Sequence, residues 1–205
     1  MMDFTPKKTD LLVIIDVQYD FMEGGALAVP DANAILPVID ELAEKFDNLV
    51  LAQDWHPAGH SSFASTHAGK APFETIEMPY GTQVLWPNHC VQGTPGAEFG
   101  LPRHIKDRAQ SIIRKGYRPE IDSYSAFLEN DQHTSTGLSG YMRERGFDRA
   151  VFVGLALDFC VGFSALDARK MGFEAVVIEA GCRGIAEESI SDMKAKMAFA
   201  GVILV

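Results

Sequence analysis

The sequence predicts an α/β protein, a three-layer α/β/α sandwich built around a mostly parallel six-stranded sheet. Three observations predict it. Short runs such as Leu11-Leu12-Val13-Ile14-Ile15 are continuously apolar, the mark of strands buried on both faces of a parallel sheet. Such runs alternate along the chain with stretches of helical spacing. The 205 residues hold no internal repeat, low-complexity tract or linker, so residues 1–205 are expected to form a single domain with a full core.

Taken in order, the first strand covers 11–15 and ends at Asp16. Residues 32–46 place Ile35, Ile39, Leu42 and Phe46 at helical intervals, with Pro37 near the first turns. Residues 48–53 read as a second strand and 110–114 as a third, followed by a helix near 138–145 and a strand over 150–155. After Cys160, apolar Phe163, Leu166 and Met171 with charges between them predict a helix that ends at Gly172. A strand over 175–178, a charged helix over 187–199 and a last strand over 202–205 complete the pattern. Residues 54–109 break the alternation, being rich in Pro, Gly, His and Ser. A connection of that length in a compact domain is usually functional, and its aromatics and Trp86-Pro87 predict an ordered lobe beside a site.

Composition excludes several classes. The net charge of −10 with no basic patch argues against nucleic acid. No apolar run approaches membrane-spanning length, and residues 1–10 lack the apolar segment of a signal peptide. Cys90, Cys160 and Cys182 are an odd, sparse set without C-x-x-C spacing, which predicts free thiols and a reducing, cytoplasmic setting.

Ligand sites of open α/β sheets lie outside the carboxyl ends of the strands. Here those ends carry Asp16, Asp54, Lys115 and, after the fourth strand, Asp158 and Cys160. Each has a plain structural alternative: Asp16 a turn cap, Asp54 a loop acid, Lys115 a solvated strand end, Cys160 a buried packing residue. Their coincidence at one sheet edge is the argument for function. A thiol at the first turn of a helix meets unpaired N–H groups and the positive end of the dipole, which predicts a thiolate-favouring position. Asp16, Lys115 and Cys160 then form a plausible nucleophilic unit in which a buried carboxylate takes the thiol proton and the ammonium steadies the thiolate. A second constellation is Asp54-Trp55-His56 with His89. Asp54 and His56 share a face if the strand continues, and a carboxylate with two imidazoles suits zinc, iron or manganese while leaving coordination positions open. His60 is the best spare ligand, and the remaining histidines read as solvated loop residues.

Several longer motifs accompany these residues: Asp16-Val17-Gln18-Tyr19-Asp20-Phe21, Gly24-Gly25-Ala26-Leu27-Ala28-Val29, Gln53-Asp54-Trp55-His56-Pro57, Leu85-Trp86-Pro87-Asn88-His89-Cys90-Val91-Gln92-Gly93, Arg114-Lys115-Gly116, Asp122-Ser123-Tyr124-Ser125-Ala126-Phe127 and Val153-Gly154-Leu155-Ala156-Leu157-Asp158-Phe159-Cys160-Val161. Together the chain resembles the nicotinamidases, also called pyrazinamidases, of the isochorismatase-like cysteine hydrolases. The motifs run in family order along nearly the whole chain.

The resemblance implies a catalytic triad of Asp16, Lys115 and Cys160, with one divalent transition metal ion, zinc first and iron or manganese next, on Asp54, His56 and His89. It also implies an oxyanion hole from the N–H groups of Ala156 and Cys160, a cis peptide at Leu155–Ala156, and Phe21, Trp86, Tyr124 and Leu155 around the substrate. The implied reaction is hydrolysis of nicotinamide to nicotinate and ammonia, a step of NAD salvage, on a small-molecule substrate with neither nucleic acid nor membrane as partner. The family often assembles, which makes a homo-oligomer an expectation. Leu157 departs from the threonine that many relatives carry. A metal-free amidase of ureido compounds, a vinyl-ether hydrolase without a nucleophilic cysteine and a silent binding protein on the same fold are the competing readings.

Overall fold

The computed structural model describes residues 4–205. In chain order its strands and α-helices are β1 (Asp10–Ile15), α1 (Leu36–Lys45), β2 (Leu49–Asp54), β3 (Thr75–Met78), β4 (Gly81–Val84), α2 (Arg103–Arg108), β5 (Ile112–Lys115), α3 (Leu138–Arg145), β6 (Arg149–Leu155), α4 (Gly162–Lys170), β7 (Glu174–Arg183), α5 (Glu187–Phe199) and β8 (Ile203–Leu204). Six strands form one sheet in the order β5-β2-β1-β6-β7-β8, and every pairing in it is parallel.

The apolar runs explain the two-sided core. Along β1, Leu12 and Ile14 join one hydrophobic cluster while Leu11, Val13 and Ile15 join the other, so successive side chains fill opposite faces. Helix α1 buries Ile39, Leu42 and Ala43 in the first cluster, where Ile105 of α2 joins them. The second cluster receives Leu138 and Met142 from α3, Ala165 and Ala168 from α4, and Met193 and Met197 from α5. Helices on both faces make the three layers. No helix among the described residues is long and apolar enough to cross a membrane.

Strand β1 lies at the centre, with β2 on one side and β6 on the other. The chain thus winds outward from β1 through β2 to β5, then returns to β1's other flank, which opens a crevice at the carboxyl ends of β1 and β6. Two backbone features shape it. Asp16, just past β1, is left-handed at φ 49°, and Gly154 in β6 has φ 120°. A methyl on Gly154 would overlap the Ile15 carbonyl oxygen, so glycine is what lets the ends of β1 and β6 close up.

Element bounds differ from the sequence expectation in instructive ways. Residues 32–46 divide into a 3-10 turn over Ala32–Ile35 and an α-helix from Leu36, with the proline in its first turn, where its missing N–H costs nothing. Residues 54–109 hold an antiparallel hairpin, β3 with β4, and the short helix α2. Their exposed strands and single buried helical residue leave little periodicity to read. The sixth-to-seventh strand pairing shifts register between Phe152 and Gly154, and β7 runs well past the expected 175–178. The turn carrying Cys160 is not the first turn of α4 but a π-helical turn over Leu157–Val161 that precedes it, closed by the Val161 N–H on the Ala156 carbonyl.

Gly154→Ala should destabilise the fold by at least the ~1–3 kcal/mol typical of overpacking, because a positive φ and a backbone clash coincide there. Urea unfolding with an unchanged midpoint would contradict it.

Candidate active site

Three strand ends deliver the reactive groups. Asp54 closes β2 and Lys115 closes β5, and the two are direct cross-strand partners, so their side chains leave the sheet side by side. Asp16 follows β1, and Cys160 lies in the π-turn that follows β6. The Lys115 ammonium, fully buried, lies 2.8 Å from Asp16 Oδ2, 3.1 Å from the Ser123 carbonyl oxygen and 3.3 Å from Cys160 Sγ, and it also donates to Asp54 Oδ1. Among the described residues no donor is well aligned on either Asp16 oxygen, the Lys115 contact being close but off-axis. Asp16 therefore keeps accepting capacity toward the thiol.

Electrostatics divide the two carboxylates. Burial pushes the Asp16 carboxyl up to about 6 against the pull of Lys115. Burial also opposes ionisation of Asp54, but Lys115, His56 and His89 hold it well below the usual carboxylate range. The ammonium is destabilised by burial and yet kept firmly charged by Asp16 and Asp54. The thiol of Cys160 is pushed well above its ordinary value, first by burial. This corrects the expectation of a thiolate-favouring position: removal of solvent outweighs the helix end and the nearby ammonium, so the resting group is a thiol that needs a base.

The second constellation sits beside the first. Asp54 Oδ2 lies 3.6 Å from His56 Nε2 and 3.5 Å from His89 Nε2. The opposite ring nitrogens are spoken for: His56 Nδ1 donates to the Gly116 carbonyl at 2.9 Å and His89 Nδ1 to the Pro87 carbonyl at 2.8 Å. A carbonyl only accepts, so Nδ1 carries a proton in each ring, which leaves Nε2, the atom facing Asp54, as the nitrogen available to bind an ion. One carboxylate oxygen and two imidazole nitrogens thus converge within 4.8 Å of one another, a donor set that suits a divalent transition metal. Gly116 is left-handed at φ 64°, and a side chain there would strike the His56 ring.

His60 is not in the Asp54–His56–His89 group but lies with His56 and Asp122 in a neighbouring one. The Ser62 N–H donates to its Nδ1 at 3.1 Å, and Nε2 faces the Ile121 carbonyl at 3.3 Å.

A small cavity joins the two constellations. Phe21, Trp86, Tyr124, Ala156, Cys160, Asp54, His56 and His89 all line it. Leu155 does not: as the last residue of β6 its side chain is fully buried in the core, and only its cis peptide to Ala156 bears on the site. The wall also includes residues that sequence reasoning did not assign to it, namely Leu27, Val29, Asp122, Phe159 and Ile185. The first three lie in motifs already singled out, and Phe159 precedes the nucleophile candidate. Its ring meets Trp86 edge-on at 5.0 Å and Tyr124 at 5.5 Å. Ile185 has no local signal beyond following a strand end.

Buried polar side chains hold these segments. Gln18 accepts from the Asp54 N–H and donates to the Asp54 and Ala97 carbonyls, all between 2.8 and 2.9 Å. Asp158 accepts from the N–H groups of Ile185 and Ala186 and from the Ser189 hydroxyl, which ties the π-turn to the start of α5. All three cysteines are free and buried.

Removing the ammonium would leave two carboxylates out of water without a counter-charge. Lys115→Ala is expected to cost about 3–5 kcal/mol of stability as well as activity. A chemical-denaturation curve matching the wild type would show that the charge is not needed for the fold.

The isochorismatase-domain model matches residues 10–205. The chain is 55% identical to a nicotinamidase of Acinetobacter baylyi over 174 residues, 85% of this chain and 81% of that protein. Among solved structures, an Acinetobacter baumanii nicotinamidase/pyrazinamidase superposes with a TM-score of 0.94 at 52% identity, covering 97% of this chain and 96% of the other. A Pyrococcus horikoshii pyrazinamidase in complex with zinc superposes at 0.79 with 34% identity, over 96% and 98% of the two chains. With an isochorismatase-type sheet, a buried thiol–ammonium–carboxylate cluster and relatives of this kind over most of its length, the chain belongs to the isochorismatase family, among the nicotinamidases and pyrazinamidases.

Proposed function

We infer that this protein is an amidase that hydrolyses nicotinamide, and pyrazinamide-type analogues, to the carboxylate and ammonia through a cysteine thioester, as a step of NAD salvage. The observation that carries the reading is the Lys115 ammonium at 3.3 Å from Cys160 Sγ and 2.8 Å from Asp16 Oδ2, with the sulfur itself in the wall of an aromatic-lined cavity. The similarity to a nicotinamidase over most of the chain supports the substrate.

The cavity suits one small planar ring, with Phe21, Trp86 and Tyr124 around it. Asp54, His56 and His89 would hold one divalent transition metal ion, zinc first on the nitrogen–oxygen donor set and by likeness to the zinc-bound relative, which when bound offers a ring nitrogen a coordination position and so orients the amide. The arrangement favours this over a metal-free amidase, which has no use for a buried Asp-His-His cluster.

In the acylation step Asp16 takes the proton of Cys160 and the sulfur attacks the amide carbon. Charge developing on the amide oxygen would be held by the N–H groups of Ala156 and Cys160, a donor of this kind being worth ~2.7–4 kcal/mol. Asp16 returns the proton to nitrogen as the C–N bond breaks, and ammonia leaves. Water then attacks the thioester with Asp16 again as base, releasing nicotinate and restoring the thiol. Lys115 stays protonated throughout, steadying the thiolate while Asp16 holds its proton, Asp16 itself when it is ionised, and Asp54 in every step.

Two measurements test this. Cys160→Ala should abolish ammonia release from nicotinamide while leaving the circular dichroism spectrum unchanged, and residual turnover would reject the nucleophile. Because Asp16 works as a base only when ionised, kcat/KM should rise with pH through about 6. A profile flat across that range would remove Asp16 from the role.

A further inference from the structure

We propose that Asp20 is a positioning residue for the metal site: its carboxylate fixes the backbone of Cys90, and through that residue the backbone of both histidine ligands, so that it sets the affinity for the ion. The proposal rests on the metal reading above and concerns residues that this reading does not use.

Cys90 follows His89 directly and is left-handed at φ 45°, a conformation rarely adopted without glycine. Its N–H donates to Asp20 Oδ2 at 2.7 Å, and its carbonyl accepts the His56 N–H at 3.0 Å. One residue, through its two flanking peptide groups, thus joins the two imidazole-bearing segments, and the Asp20 carboxylate is the group that holds it from outside. The His56 carbonyl completes the clasp by accepting the Gln92 N–H at 2.8 Å.

Asp20 is itself fixed. Its main-chain carbonyl accepts the Leu27 N–H at 2.9 Å, and the neighbouring Phe21 carbonyl accepts the Val29 N–H at 2.9 Å, so the same short turn seats the aromatic and aliphatic wall of the cavity. On its far side the carboxylate rests on Gly96, where a methyl would overlap both of its oxygens. A carboxylate accepting from a buried backbone N–H forms one of the stronger hydrogen bonds available, and it holds an otherwise disfavoured backbone in place. Metal affinity depends on ligand orientation at this precision: outer groups that fix ligands typically contribute 10–100-fold.

The test measures Zn²⁺ affinity by competition with a chromophoric chelator, together with thermal midpoints of the metal-free and Zn²⁺-loaded protein. Asp20→Ala should weaken Zn²⁺ about 10–100-fold and shrink the rise in midpoint that Zn²⁺ produces. Asp20→Asn keeps an oxygen for the Cys90 N–H and should recover most of the loss. Gly96→Ala displaces the carboxylate without removing its charge and should weaken Zn²⁺ in the same direction. A lower metal-free midpoint with unchanged Zn²⁺ affinity in Asp20→Ala would make Asp20 a purely structural residue and overturn the proposal. Should that variant not fold, unchanged affinity in Gly96→Ala overturns it equally. Failure of the wild type to bind Zn²⁺ would instead overturn the metal reading, and this proposal with it.

Discussion

A single ammonium makes the rest of this site admissible. Two carboxylates cannot share a dry space at one sheet edge without a counter-charge, and Lys115 supplies it from the strand position directly opposite Asp54. The parallel register is therefore part of the chemistry. A slip of one residue between β2 and β5 would turn one of the two side chains to the opposite face of the sheet and leave Asp16 unopposed. The same ammonium touches the sulfur, so the group that permits the buried acids also lies where it would steady a thiolate on Cys160 in the proposed reaction.

Asp54 couples the two halves of the site. One of its oxygens receives the lysine proton and the other faces the imidazole pair, so a change in either neighbourhood reaches the other through one carboxyl group. Asp16 is the freer acid by contrast, with its oxygens poorly engaged and its proton affinity raised by burial. This division suits two acids of identical chemistry to the different duties proposed for them, Asp54 held anionic and Asp16 able to exchange a proton.

Much of this was legible in the residues themselves. Continuous apolar runs imply the parallel sheet, and their carboxyl ends carry or lead to Asp16, Asp54, Lys115 and Cys160, the groups that the structure brings together. Position along a strand predicts place in space because the strand is straight and its neighbours parallel. What escaped depended on longer-range or non-periodic features. The hairpin of β3 and β4 has little buried surface to impose alternation, and α2 is too short to show a stripe. The π-turn under Cys160 arises from one carbonyl, that of Ala156, accepting from Val161. The direction in which the thiol is shifted could not follow from a helix end alone, because it is decided by how completely the surrounding fold excludes water. Leu155 illustrates the same limit: adjacency to the site in sequence did not tell which way its side chain would turn.

The carboxylate of Asp158, gripping the start of α5, ties the turn that carries Cys160 to a distant stretch of chain. Damage to the loop between β7 and α5 would therefore reach the sulfur's setting without altering any of the groups around it, so that short loop is as much a part of the site's architecture as the turn it braces.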